Sequence, residues 1–152
     1  MNLKPGVGVD NLIFGMRQSE IEQIMGKPDQ TMVDDDDEIQ IMWIYNKQKI
    51  RLTFYANEDN KLGYIRTSNV DISFNNIKLL GLDINFVINK IFEDLNGDWE
   101  TDEYAFFSTY TNYEHWIVIN VEYGVVESVE LGLPFNDDDT YKWPGLELVN
   151  IE

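Results

Sequence analysis

A short segment near the start of the chain returns in modified form in the second half. Residues 11–16 read NLIFGM and residues 76–82 read NIKLLGL. Each copy is followed by apolar residues at helical spacing, namely Ile21, Ile24 and Met25 after the first and Phe86, Val87, Ile88 and Ile91 after the second. The pattern predicts a short strand and then one helix in each copy.

Residues at the ends of these two segments predict where the helices begin and end. Asp83 is placed to cap the second helix, because a side-chain oxygen at this position can accept the first free backbone N–H groups. Gly26 and Pro28 are expected to end the first helix, and Asn96-Gly97 the second.

The remainder of each copy predicts strands. Segments 41–45, 49–55 and 62–66 correspond to 105–110, 115–123 and 125–131, and the middle strands alternate with period two. Ile50, Leu52 and Phe54 match Ile117, Ile119 and Val121, and should form one face beneath the helices. Tyr123-Gly124 predicts a tight hairpin.

These patterns predict an α+β fold. Two copies of a unit with a strand, a helix and a three-stranded antiparallel meander form one compact domain over residues 1–152. The repeats span about 7–70 and 71–133. The tail at 134–152 contains Trp143, Leu146, Leu148 and Ile151, so we expect it to dock on the domain.

Charge and composition restrict the function. The net charge is −17, and residues 77–152 hold three Lys/Arg against sixteen Asp/Glu. Phosphates would be repelled, which argues against direct nucleic-acid binding, whereas a basic protein would be attracted. The chain has no cysteine, and its sequence shows neither an export signal nor a membrane span. We therefore expect a cytoplasmic monomer with no membrane association.

Candidate catalytic and metal-binding residues are weak. His115 is the single histidine, and no nucleophile motif accompanies it. The acidic run from Asp34 to Glu38 is contiguous and lacks the alternate spacing and central glycine of a calcium loop, and the same holds for residues 136–139. Gly6-Val-Gly8 lacks the rest of a phosphate-binding fingerprint and is interpreted as a flexible lead-in. We expect no enzyme activity, no cofactor and no metal site.

The order NLIFGM, a short helix, Gly26-Lys-Pro-Asp29, Trp43-Ile-Tyr45 and then residues 50–54 (IRLTF) resembles the repeat of the beta-lactamase inhibitor protein and small outer-membrane lipoprotein type. It is also similar to small immunity proteins of polymorphic or contact-dependent toxin systems. The matching residues, such as Gly15 and Gly81, are structural. The resemblance implies a protein that works by binding another protein.

The leading hypothesis is an immunity protein or inhibitor that occludes the active site of a cognate basic toxin, in particular a nuclease domain. The alternative is a non-catalytic scaffold or assembly domain of the small envelope lipoprotein type. Two acidic loops, at 34–38 and 98–104, and an open sheet face are expected to form the binding surface. Two other interpretations stay open: a solvated turn for the acidic run, and a sheet face covered by the tail or the other repeat. The predicted partner-binding residues are Asp34, Asp35, Asp36, Asp37, Glu38, Trp99, Glu100, Asp102, Glu103, Tyr104, Trp116, Glu122 and Glu130.

Overall fold

An antiparallel sheet of eight strands dominates the structure, a computed structural model that describes residues 1–36 and 38–145. The strands are β4 (Gln30–Asp34), β5 (Gln40–Tyr45), β6 (Ile50–Tyr55), β7 (Lys61–Thr67), β10 (Trp99–Glu103), β11 (Ser108–Asn112), β12 (Ile117–Glu122) and β13 (Val125–Gly132). Their order across the sheet is β10-β11-β12-β13-β7-β6-β5-β4. The predicted α+β class is thus confirmed at the level of a mainly antiparallel sheet with helices.

Smaller elements precede each half of the sheet. Strands β1 (Leu3–Lys4), β2 (Gly8–Val9) and β3 (Leu12–Ile13) form a three-stranded sheet, and β8 (Ser73–Phe74) pairs with β9 (Ile77–Lys78). Helix α1 (Gln18–Met25) follows β3, and α2 (Ile84–Phe86) follows β9 and continues as a π-helical turn, Val87–Ile91. A 3₁₀ turn, Ala56–Glu58, links β6 to β7.

The helix ends agree in part with the sequence. The Asp83 carboxylate accepts hydrogen bonds from the backbone N–H groups of Asn85 and Phe86, as a cap should. Gly26 follows α1 and donates its N–H to the Glu22 carbonyl, which confirms the first stop. The second stop is wrong: the helical segment ends at Ile91, before Asn96, because Phe92 leaves helical geometry to pack into the core.

The two halves of the sheet meet where β7 and β13 pair in antiparallel fashion. Thr67 lies opposite Val129, and Tyr64 lies opposite Gly132. Each half therefore contributes four consecutive strands in up-and-down order, and β4 and β10 form the two edges. The hairpin between β10 and β11 and the connection between β4 and β5 lie at opposite edges of the sheet. They also lie at opposite ends of the strands, because neighbouring strands, including the central pair, are antiparallel.

One face of the sheet forms the core. The predicted inward residues of β6 and β12, Ile50, Leu52, Phe54, Ile117, Ile119 and Val121, are all buried, so this face is confirmed. Ile21 of α1, Ile84 of α2 and Val87 of the π-helical turn belong to the same hydrophobic cluster. The core thus combines both halves of the chain, and the opposite face of the sheet is left for other contacts.

Three local predictions are wrong. Each meander has four strands and not three, because the polar segments Gln30–Asp34 and Trp99–Glu103 pair as edge strands. Residues 99–103, predicted as part of an acidic loop, therefore belong to β10, since an edge strand exposed to water needs no apolar alternation. Gly6 lies in the turn that joins β1 to β2, and Gly8 begins β2, where Val9 is buried, so the segment is not a flexible lead-in.

The described part of the tail packs on the sheet. Phe135 forms a β-bridge with Tyr141, and the Tyr141 ring stacks on Tyr55 with centroids 5.2 Å apart. Lys61 Nζ lies 5.2 Å from the centre of the Trp143 ring. The predicted docking of Trp143 agrees with this arrangement, whereas Leu146, Leu148 and Ile151 lie outside the described residues. Over residues 1–36 and 38–145 the structure contains no helix both long and apolar enough to cross a membrane.

Candidate protein-binding surfaces of the sheet

A polar network lies at the middle of the sheet face opposite the helices. Arg51 of β6, Arg66 of β7 and Glu130 of β13 are neighbours in register on this face. The Tyr64 hydroxyl donates to Glu130 Oε1 at 2.6 Å, and the Asn120 amide donates to Oε2 at 2.8 Å. Arg66 Nη1 lies 3.6 Å from the same Oε2. Glu130 is only 15% exposed, and both of its carboxylate oxygens accept hydrogen bonds within the protein.

Aromatic side chains enclose this network at one end. A cleft of about 570 Å³, which we call the sheet cleft, is lined by Tyr64, Glu130 and the aromatic residues Trp116, Phe135 and Tyr141. Trp116 packs edge-on against Phe135, with ring centres 5.5 Å apart. Gly132 leaves room for the Trp116 ring, because a Cβ at residue 132 would overlap that ring. The tail thus covers part of the sheet face, as one of the open interpretations proposed.

The Tyr64 phenol is expected to control stability at alkaline pH. Burial and the adjacent Glu130 carboxylate raise the pKa of Tyr64 far above its usual range. Because the folded pKa exceeds the unfolded value of about 10, the neutral phenol contributes its full stabilisation below that pH and loses it as the pH rises further. We expect the free energy of unfolding of Tyr64→Phe to fall less steeply than that of the wild type between about pH 10 and 12, as measured by urea denaturation at each pH.

The control for this prediction is Tyr123→Phe, since Tyr123 is 98% exposed. Its alkaline slope should equal that of the wild type. Burial also raises the pKa of Tyr55, Tyr45 and Tyr141, so the slope of Tyr64→Phe is expected to be reduced and not abolished. An alkaline slope of Tyr64→Phe identical to that of the wild type would contradict the role of this hydrogen bond.

The two acidic segments predicted as one rim are not brought together. Asp34 ends β4, while Glu100, Asp102 and Glu103 lie on β10 at the opposite edge. With about 4.8 Å between neighbouring strands, the edges are about 34 Å apart. Asp34, Asp35, Asp36 and Glu38 are exposed in the connection from β4 to β5, and Asp37 lies outside the described residues. A single partner that contacts both segments would have to span the whole sheet.

The register of β10 separates Trp99 from its acidic neighbours. Trp99 is partly buried and packs against Phe92 with ring centres 5.5 Å apart, on the side of the helices. Glu100 and Asp102 are opposite Thr111 and Thr109 of β11, on the other face. Trp99 therefore packs on the core side of the sheet, and Glu100 and Asp102 lie on the other face, because adjacent strand residues point to opposite faces.

An exposed aromatic cluster, of which the sequence analysis predicted only Tyr104, lies at the hairpin that follows β10. Tyr104 and Phe107 stack with ring centres 4.7 Å apart, and Phe106 at the tip is 86% exposed. The neighbouring hairpin from β12 to β13 adds Tyr123, which lines the same surface depression. Tyr123 and Gly124 both have positive φ, and Glu122 pairs with Val125, which confirms the predicted tight hairpin. We call Tyr104, Phe106, Phe107 and Tyr123 the hairpin patch.

Acidic side chains adjoin the hairpin patch. Glu103 precedes Tyr104 at the end of β10, and Glu122 precedes Tyr123 at the end of β12; both are exposed. Of the predicted partner residues, Glu103, Tyr104 and Glu122 are therefore brought together here. The predicted strand at 105–110 is wrong for residues 105–107, because β11 begins at Ser108. The lack of alternation in the sequence Tyr104-Ala-Phe-Phe107 is the signal that could have indicated this.

The single histidine, His115, lines a cleft together with Glu114 and Lys142. His115 lies in the turn between β11 and β12, and its backbone N–H donates to Asn112 Oδ1 at 3.1 Å. Its Nε2 is buried without a hydrogen-bond partner in the described chain. The described residues contain no group of three or more His, Asp or Glu side chains arranged to hold a metal ion.

Two solved structures have a similar fold. A DUF4309 family protein (YjgB) from Bacillus subtilis matches with a TM-score of 0.51 and 12% sequence identity, over 84% of this chain and 87% of that one. An extracellular protein containing a SCP domain from Bacillus anthracis matches with a TM-score of 0.51 and 9% identity, over 98% of this chain but only 55% of that one. This chain thus spans about half the length of the second protein. At such identities the similarity concerns the fold alone.

No protein-family model matches the chain, and a search of curated proteins finds no match. The resemblance to inhibitor and immunity-protein repeats stays a prediction.

Proposed function

We propose that the protein is a non-catalytic inhibitor of the immunity type, which binds a basic toxin domain and blocks its active site. The observation that carries the proposal is the hairpin patch: four aromatic side chains at one corner of the sheet, with Phe106 and Tyr123 almost fully exposed. Large exposed apolar clusters rimmed by polar residues are typical of protein interaction sites. Aromatic residues of this kind supply most of the binding energy at interfaces.

Charge supports a basic partner. The net charge of −17 gives the whole molecule a negative field, which accelerates the approach of a positively charged protein. Exposed Glu103 and Glu122 adjoin the hairpin patch, and Asp102 is exposed on the same edge strand. A nuclease cleft that binds phosphates would accept such carboxylates and the aromatic side chains between them.

We further propose that the two halves are copies of one unit. The first half has a small three-stranded sheet and the second the hairpin β8-β9; in each, a helix and four consecutive strands follow. The antiparallel junction of β7 with β13 relates one half to the other. The copies then differ in the hairpins beside the edge strands. The first carries the acidic run after Asp34, and the second carries the hairpin patch, so binding would have specialised in one copy.

A toxicity-rescue selection tests the function. Random genome fragments from the source organism are expressed in a bacterial host, and fragments that stop growth only when this protein is absent are recovered. We expect a basic toxin domain that binds the purified protein directly. Phe106→Ala should weaken binding at least about thirtyfold, the equivalent of about 2 kcal/mol at a hot spot, as measured by surface plasmon resonance.

Charge variants and a matched control complete the test. Glu103→Lys with Glu122→Lys should slow association and reduce its dependence on salt. Val33→Ala is the control, because Val33 is 63% exposed on β4, at the opposite edge of the sheet; its affinity should not change. Recovery of no rescued fragment from a library of full coverage would overturn the inhibitor function, and equal losses at Phe106 and Val33 would overturn the binding surface.

A further inference from the structure

Positive charge collects at one place on this acidic molecule. A pocket of about 440 Å³ between β6, β7 and β13 is lined by Lys49, Arg51 and Arg66, with Glu127 as its acidic residue. Arg66 is paired with Glu130 at 3.6 Å, which leaves Lys49 and Arg51 against Glu127, whereas the whole chain has 11 Lys and Arg against 28 Asp and Glu. We call this the basic pocket. It shares Arg51 with the sheet cleft and otherwise has different lining residues.

Two buried polar groups of the basic pocket lack partners. Arg51 Nε and Ser128 Oγ are both inaccessible to solvent and have no hydrogen-bond partner within residues 1–36 and 38–145. Ser128 as a whole is 1% exposed. Buried polar groups are nearly always hydrogen-bonded, since an unsatisfied one costs about 1–3 kcal/mol. Arg51 Nε and the Ser128 hydroxyl therefore have unused hydrogen-bonding capacity at one pocket.

We propose that the basic pocket binds a carboxylate that carries an apolar body. The planar guanidinium of Arg51 fits the two oxygens of a carboxylate, and the Ser128 hydroxyl provides a further donor. Ile44 lies on the wall of the pocket and suits an apolar substituent. Glu127 and the negative field of the molecule disfavour a doubly charged phosphate relative to a singly charged carboxylate. Small organic acids and the C-terminal residue of a peptide share this chemistry.

NMR titration of the ¹⁵N-labelled protein tests the site with four probes. Benzoate represents an organic acid and N-acetylleucine a peptide end, while N-acetylleucine amide lacks the carboxylate and inorganic phosphate lacks the apolar body. We expect a dissociation constant of about 1 mM or lower for a carboxylate, with shifts at residues 49–51, 66–68 and 127–128. Whichever of benzoate and N-acetylleucine binds more tightly identifies the source of the carboxylate.

Three variants separate the specific site from general charge. Ser128→Ala removes a hydroxyl that has no internal partner, so it should fold normally and weaken binding about fivefold. Arg51→Lys keeps the charge but loses the planar fork, and should weaken binding about tenfold. Lys78→Met is the control, because Lys78 is exposed and pairs with Asp71 at 3.1 Å away from the pocket; its affinity should equal that of the wild type.

Several results would overturn the site. The site is rejected if neither benzoate nor N-acetylleucine causes shifts at about 20 mM. It is also rejected if N-acetylleucine amide binds as tightly as N-acetylleucine, or if phosphate binds as tightly as benzoate. Unchanged affinity in both Ser128→Ala and Arg51→Lys would also reject it. The titration requires no toxin, so its outcome is independent of the proposed inhibitor function.

Discussion

A Gly8→Ala protein should lose about 3 kcal/mol or more of its free energy of unfolding, since backbone strain and overpacking act together. Gly8 has a φ of +149°, and a Cβ there would overlap the Leu12 carbonyl oxygen and lie 3.0 Å from its carbon. The clash involves backbone of the paired strand β3, so no side-chain rotation relieves it. Urea denaturation monitored by circular dichroism measures the effect.

Gly6→Ala is the matched control for this change. Gly6 lies two residues away and has a φ of +76°, but no atom lies within 4 Å of an added Cβ. The alanine there should cost only about 1 kcal/mol, the usual penalty of a left-handed residue. If the two variants were equally stable, β2 would not pack against β3 as described.

Phe54→Ala should lower the free energy of unfolding by about 3–5 kcal/mol, as expected for removal of a buried aromatic ring. Phe54 is fully buried in the core and packs edge-on against Trp43, with ring centres 5.0 Å apart. Because small domains are stable by only about 5–15 kcal/mol, this variant should melt at a much lower temperature. Differential scanning calorimetry provides the measurement.

Phe106→Ala deletes the same ring at the surface. Since Phe106 is 86% exposed, its removal should change the free energy of unfolding by no more than about 0.5 kcal/mol. A large loss of stability at Phe106 would mean that the hairpin patch is a structural contact and not a free surface. The pair thus separates the aromatic residues that maintain the fold from those available to a partner.

Local patterns in the sequence predicted the parts of the fold that depend on neighbouring residues. Alternation in β6 and β12 identified the buried face, and Asp83 marked the start of α2, because both signals lie within a few residues. The polar edge strands β4 and β10 gave no such signal, since neither of their faces needs to be apolar. The pairing of β7 with β13 joins residues about 65 positions apart, and no local pattern specifies it.

The basic pocket could not be predicted from the sequence, because it exists only where β7 pairs with β13. Arg51, Arg66 and Ser128 come from three strands, and only the sheet order brings them to one pocket. The hydrogen bonds of the Glu130 carboxylate to Tyr64 and Asn120 likewise join residues that are distant in the sequence, and its role as a partner contact stays a prediction. The assignment of Tyr104 and Glu122 to a binding surface stays a prediction, to which the structure adds Phe106, Phe107 and Tyr123 as neighbours.

The position of the acidic residues along β4 and β10 has a consequence for the behaviour of the protein in solution. An edge strand exposes backbone groups that could pair with the edge of another molecule, and charged side chains there are a common protection. Asp34 on one edge and Glu100, Asp102 and Glu103 on the other give both edges the same sign. Two copies that approach edge to edge therefore repel each other, and the charge that would attract a basic partner also prevents the sheet from growing into aggregates.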